Sequence, residues 1–131
     1  MLDADGRVGL PDAIADAACH LAEGIGAAAI IAPTHSGATP RLVARFRPRR
    51  PILAPTAAEE TYRRLALVWG VVPLKISEPT SEESIAQALA TARDSGFIRT
   101  GESVVVAGRP PGSAPGPANS IRVLVVDGDR R

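Results

Sequence analysis

The sequence predicts an α/β fold: a mostly parallel five-stranded sheet with helices on both faces and its last strand antiparallel. Three observations carry this. Short apolar runs alternate with longer segments whose apolar residues recur every three or four positions, the pattern of strands joined by crossover helices. Hydrophobic residues make up 45% of the 131 residues but aromatics only 3%, so the core must be built from Ala, Val, Ile and Leu in thin, closely packed layers. The last two apolar runs are joined by a Pro/Gly segment with no helix in it, which favours an antiparallel return.

Taken in order, Asp12 is placed to cap a first helix whose stripe is Ile14, Ala17, Ala18, Leu21, Ala22 and Ile25, ending near Gly24 and Gly26. Ala27 to Ala32 is a continuous apolar run stopped by Pro33, as expected for a central strand covered on both faces. Pro40 suits the first position of a helix through Leu42, Val43 and Phe46, which closes before Arg47, Pro48, Arg49 and Arg50. Pro51 to Pro55 is a second strand, and Thr56 is placed to cap a helix through Tyr62, Leu65 and Trp69, ended by Gly70. Val71 to Ser77 is a third strand, and Pro73 within it predicts a sheet edge. Thr80 or Ser81 caps a helix with Glu82 and Glu83 in its first turn, a stripe of Ile85, Ala88, Leu89 and Ala92, and a stop at Gly96. Ser103 to Ala107 and Ile121 to Val126 are the last strands. The segment Gly108 to Ala118 between them holds four prolines and three glycines. The folded unit is expected over residues 11–127, with tails at 1–10 and 128–131.

Charge narrows the function classes. Fifteen basic and fourteen acidic side chains nearly cancel, so no broad field is available for nucleic acid or an anionic membrane. Cys19 is the sole cysteine, which excludes an internal disulfide and deprives a metal site of thiolates; a reducing, cytoplasmic setting is the simplest expectation. The residues from Met1 to Arg7 lack the basic start and apolar run of a signal peptide, and the longest apolar stretch is roughly half the ~20 residues that cross a bilayer. No membrane association is expected.

Ligands of open α/β sheets bind beyond the carboxyl ends of the strands. Thr34, His35, Ser36, Gly37, Ala38 and Thr39 fall there: three hydroxyls, a glycine that permits close backbone approach, and Pro40 opening the next helix can cradle one phosphate group. The same residues also fit an ordinary capped turn with Thr39 as N-cap. Arg109 and Arg122 flank the Pro/Gly loop and could each supply an anion contact, or could lie in solvent. His35 has no carboxylate nearby in sequence to orient it as an acid/base group, and His20 beside Cys19 has no further metal ligands, so no catalytic and no metal residue is assigned. The Arg45, Arg47, Arg49, Arg50 cluster fits a helix end, where cations meet the dipole favourably, and Tyr62 with Trp69 fits packing in a core or interface.

The order of several blocks then carries a likeness: Ala28-Ala-Ile-Ile-Ala-Pro-Thr-His-Ser-Gly-Ala-Thr-Pro-Arg41, Phe46-Arg-Pro-Arg-Arg-Pro-Ile-Leu-Ala, Trp69-Gly-Val-Val-Pro, Gly96-Phe-Ile-Arg-Thr-Gly-Glu-Ser-Val-Val-Val and Asn119-Ser-Ile-Arg-Val. From about Pro11 to Val126 the chain resembles the C-terminal, effector-binding domain of pyruvate kinase. The resemblance implies a three-layer α/β/α sandwich whose first strand-to-helix loop, matched by Thr34, Ser36, Gly37 and Thr39, holds the phosphate of a sugar phosphate or nucleotide effector. It implies that a loop before the last strand closes over that effector. Arg109, Pro110, Gly112 and Ser113 resemble that loop and Asn119 ends it, whereas Pro111, Pro115 and Pro117 depart from it, and His35 and Ala38 stand where the family varies. It implies a homo-oligomer using helices and the last strand. It also implies that catalysis, from phosphoenolpyruvate and ADP to pyruvate and ATP with Mg and K, belongs to a separate β/α barrel. Such a barrel of about 250 residues does not fit within this chain. The expectation is a regulatory module with no cofactor of its own, or a fragment or split subunit that acts beside a barrel.

Overall fold

Apolar runs of three to six residues make five strands. The computed structural model describes residues 5–77, 82–110, 113 and 116–127. The elements are α1 (Leu10–Ile25), β1 (Ala29–Ile31), α2 (Ala38–Arg45), β2 (Ile52–Thr56), α3 (Glu59–Leu65), β3 (Val71–Lys75), α4 (Glu82–Asp94), β4 (Ser103–Gly108) and β5 (Ser120–Val125). The sheet order is β3-β2-β1-β4-β5. β1 to β4 are parallel, with Ile30 opposite Ile52 and Val105, and β5 runs antiparallel to β4 with Val105 opposite Val123. The three-layer architecture is thus the one the sequence predicts, and β3, carrying Pro73, lies at an edge.

The alternation of side chains along each strand divides the core. Ile30, Ala32, Ile52, Ala54, Val105 and Ala107 point to the face covered by α1, α2 and α3, where they meet Ala18, Ala22, Val43 and Leu65. Ala29, Ile31, Leu53, Val104 and Val106 point to the face covered by α4, where they meet Ala88 and Ala92. Full burial of Ile30, Ile31, Leu53 and Leu65 stabilises the fold by about 1.5–3 kcal/mol each. The alanines let helices lie close to the sheet, as a core poor in rings requires.

Four local expectations are corrected. α1 starts at Leu10 with Gly9 as N-cap, so Asp12 is a first-turn acid near the positive helix end and not the cap; Pro11 is accommodated because its missing N–H is in the first turn, where none is needed. α2 starts at Ala38 with Gly37 as N-cap, which puts Thr39 and Pro40 inside the first turn. Thr56 is a fully buried strand residue, its Oγ1 accepting the Ala58 N–H at 3.2 Å, and Ala58 is the N-cap of α3. α3 ends at Leu65: Leu67 and Val68 bond back only three residues, to Arg64 and Leu65, and this tighter winding turns Trp69 off the buried face. Trp69 is 71% exposed and no part of the core. The predicted caps of α4, Thr80 and Ser81, lie outside the described residues, as does Gly112.

Candidate functional site

The two sequence-predicted loops leave the sheet side by side. β1 and β4 are parallel neighbours, so residues 34–39 and the segment starting at Arg109 both emerge at the carboxyl edge, and a Cβ placed on Gly108 would lie 3.8 Å from Pro33 Cδ. The chain leaves β1 toward the three-helix face, whereas it enters β4 from α4 on the other face.

Within the first loop the backbone is tightly held. Thr34 N–H extends the ladder to Pro55 C=O at 3.0 Å. Thr34 Oγ1 accepts the Gly37 N–H at 2.7 Å, and Ser36 Oγ accepts the Ala38 N–H at 3.3 Å. Two donors of the helix start are therefore capped by the loop's own hydroxyls, one strongly and one weakly. The N–H groups of His35, Ser36 and Thr39 have no hydrogen-bond partner among the described residues. Gly37 has φ 93° and is buried, and a Cβ there would sit 3.4 Å from Leu65 Cδ2, 3.5 Å from Arg41 Nε and 3.6 Å from Thr61 Cγ2. Glycine is thus demanded at position 37 by its left-handed conformation, while the space beside it, at ordinary contact distance from α3, would take a methyl group. The His35 and Ser36 side chains are exposed, and no carboxylate pairs with the imidazole among the described residues.

The second loop folds partly on itself. Asn119 N–H and Ser120 Oγ both bond Gly108 C=O, at 2.9 and 3.0 Å, closing its neck. Arg109 Nη1 donates to Pro117 C=O at 3.3 Å, and its Nε is buried without a partner. Ser113 N–H and Oγ return to Pro110 C=O. Arg109 therefore bonds back into its own loop, and Arg122, the other flanking arginine, bonds Glu82 Oε1 at 3.0 Å.

Two features escaped the sequence reading. The Thr61 hydroxyl, on α3, donates to His35 C=O at 2.7 Å across 26 residues. Along α2, from Arg41 near the loop toward the opposite, amino edge of the sheet, Arg41, Ala44, Arg45, Arg47, Val68 and Trp69 line an open depression of about 460 Å³, with the Arg47 guanidinium 5.0 Å from the Trp69 ring centroid. Residues 24–58 contain five arginines and no carboxylate; Arg49 reaches Glu23 at 3.6 Å, and Arg41, Arg45 and Arg50 have no ion pair among the described residues. The sequence signal was the acid-free stretch; the aromatic partner was not signalled. His20 is exposed and bonds Asp16. Among the described residues no three His, Cys, Asp or Glu side chains gather as metal ligands, and no helix is long and apolar enough to cross a membrane.

Comparison with known proteins agrees with the architecture. Residues 12–124 match the family model described as the pyruvate kinase alpha/beta domain. Among curated relatives, the pyruvate kinase of Geobacillus stearothermophilus is 39% identical over 118 residues, covering 89% of this chain and 20% of its own length, and that of Clostridium acetobutylicum is 36% identical, covering 88% and 25%. A Cryptosporidium parvum pyruvate kinase solved with ADP superposes with a TM-score of 0.81 at 32% identity, over 91% of this chain and 24% of that one. The chain thus spans about a fifth to a quarter of the length of the relatives it matches, and over that span helices, mixed sheet and sequence agree together. It belongs to the pyruvate kinase family, in which it corresponds to the α/β domain.

Proposed function

We propose that the chain is a regulatory module that binds the phosphate group of a metabolite, a sugar phosphate or a nucleotide, at residues 34–39, with Arg109, Gly112, Ser113 and Asn119 closing over it. The observation that carries the reading is the set of unpartnered amides of His35, Ser36 and Thr39 at the start of α2, beside two hydroxyls able to rotate and donate. The long Ser36 bond to Ala38 N–H is the one a phosphate oxygen would replace at least cost. Arg109, with its unpaired Nε, is the cation that a swing of the second loop would deliver. Calorimetry with AMP, ribose 5-phosphate, glucose 6-phosphate and fructose bisphosphate tests this: saturable binding of at least one is expected, and none binding defeats the reading.

Self-association through the last strand belongs to the same proposal. β5 is a sheet edge, and Val123 and Val125 on it are exposed, a combination that invites pairing. Sedimentation should find a species larger than one chain that Val125→Lys reduces to a monomer. We further place the module in the cytoplasm, in keeping with its glycolytic relatives.

A second reading is favoured by one observation, the small share of each relative that the chain spans. On that reading it is a fragment or split subunit that contributes to phosphoenolpyruvate-to-ADP transfer only beside a barrel supplying the Mg and K sites. Mixing with a barrel-only polypeptide should then generate transfer activity that neither part has alone.

A further inference from the structure

Thr61 is among the few buried polar side chains, 8% exposed, and its hydroxyl donates to the carbonyl of His35 at 2.7 Å. In a trans peptide the C=O and the next N–H point in opposite directions, and no cis bond occurs among the described residues. With the His35 carbonyl turned inward toward α3, the Ser36 N–H is turned away from α3, and that N–H has no partner among the described residues. We infer that Thr61 is a positioning residue, whose hydroxyl aims the Ser36 amide outward at the carboxyl edge and so sets the loop's affinity for phosphate. This rests on the phosphate-binding reading of residues 34–39.

The physical reason is the cost of an unmade bond. Without the hydroxyl, the His35 carbonyl loses its acceptor role in a part-buried position and gains by rotating toward water, which carries the Ser36 N–H inward. No other side chain donates to His35 C=O among the described residues. The methyl of Thr61 serves a separate purpose, since its Cγ2 lies against the space beside Gly37.

Valine and serine separate the two parts of the side chain. Thr61→Val keeps the shape and removes the donor; Thr61→Ser keeps the donor and removes the methyl. Titration of the whole chain with ribose 5-phosphate and AMP should show Thr61→Val roughly tenfold weaker than wild type, the scale of one lost hydrogen bond. Thr61→Ser should stay within about twofold even if its melting temperature falls further. The Ser36 amide resonance should shift upfield in Thr61→Val, as its N–H leaves water, and stay in place in Thr61→Ser. If wild type binds and Thr61→Val binds equally well, the inference is overturned and the phosphate reading stands. Affinity that simply follows melting temperature across both variants also overturns it, since the role is then structural only. If wild type binds neither ligand, the phosphate reading falls and the inference falls with it.

Discussion

At the carboxyl edge of the sheet, residues 34–39 offer hydroxyls and backbone amides with no permanently charged side chain, whereas the amino edge gathers Arg45 and Arg47 against an exposed Trp69. The two ends carry different electrostatics. At the first, Gly37 at φ 93°, the Thr61 bond and the ladder bond of Thr34 hold the loop backbone in place. At the second, guanidinium groups stand in solvent, where their attraction is weakened by water and salt. On the phosphate reading, oriented peptide groups mark the candidate site more than side-chain charge does, with Arg41 Nε, 3.5 Å from the Gly37 Cβ position, as the cation beside them.

The sharpest way to break the comparison is Ser36→Glu. A carboxylate at the loop's tip should lower phosphate-ligand affinity by about a hundredfold or more through like-charge repulsion, measured by calorimetry, while Arg45→Ala with Arg47→Ala should leave it within about twofold. Loss of binding in the arginine pair would move the site to the other edge.

Next in size is a pair of glycines. Gly37 and Gly70 both have positive φ, 93° and 82°, but only Gly37 has neighbours, Leu65, Arg41 and Thr61, in contact with its Cβ position. Gly70→Ala should cost about 1–2 kcal/mol in urea denaturation, the conformational penalty alone. Gly37→Ala should cost about the same, since its added methyl would meet Leu65, Arg41 and Thr61 only at ordinary contact distances. A markedly larger cost at Gly37 would mean that the loop is pressed more tightly on α3 than these distances allow.

Trp69→Ala should change stability by no more than about 0.5 kcal/mol, since the ring is exposed and its stack on Arg47 is a surface contact. A drop well beyond that would show the amino edge to be a structural element.

Smallest is the effect of Cys19, which burial, with the nearby Asp16 carboxylate, raises from 9.0 to about 11. A raised acid pKa in the fold favours the protonated thiol. Its contribution is therefore complete below about pH 9 and lost as pH climbs toward 11. Cys19→Ser should flatten the alkaline limb of a stability–pH curve over that window and leave the slope near neutral pH unchanged, whatever uniform offset its altered packing adds.

Much of the scaffold was legible because its signals are local and repeated. The stripe Ile85, Ala88, Ala92 gave α4, Pro73 gave an edge strand, and the helix-free Pro/Gly connection gave the antiparallel β5. Helix starts were less so. Thr39, Thr56 and Asp12 are good capping residues, yet the caps are Gly37, Ala58 and Gly9, because the path of the incoming strand and the packing of Gly37 on α3 decide where helical geometry begins. Trp69 was misplaced since periodicity does not reveal where a helix tightens and unwinds. At the candidate site the composition of residues 34–39 was readable, and so was their place beyond a strand end. The Thr61 bond to His35 was not: nothing in either segment signals a partner 26 residues away. The alignment of β1 beside β4, which brings the two loops together, is likewise a property of sheet order that no local pattern encodes.

The most direct measurement is a backbone amide titration of the isotope-labelled chain with ribose 5-phosphate and AMP at moderate salt. The account predicts saturable shifts at His35, Ser36, Gly37 and Thr39, with Arg45, Arg47 and the Trp69 indole unmoved. Shifts centred on Arg45, Arg47 and Trp69 with the 34–39 amides still would contradict it.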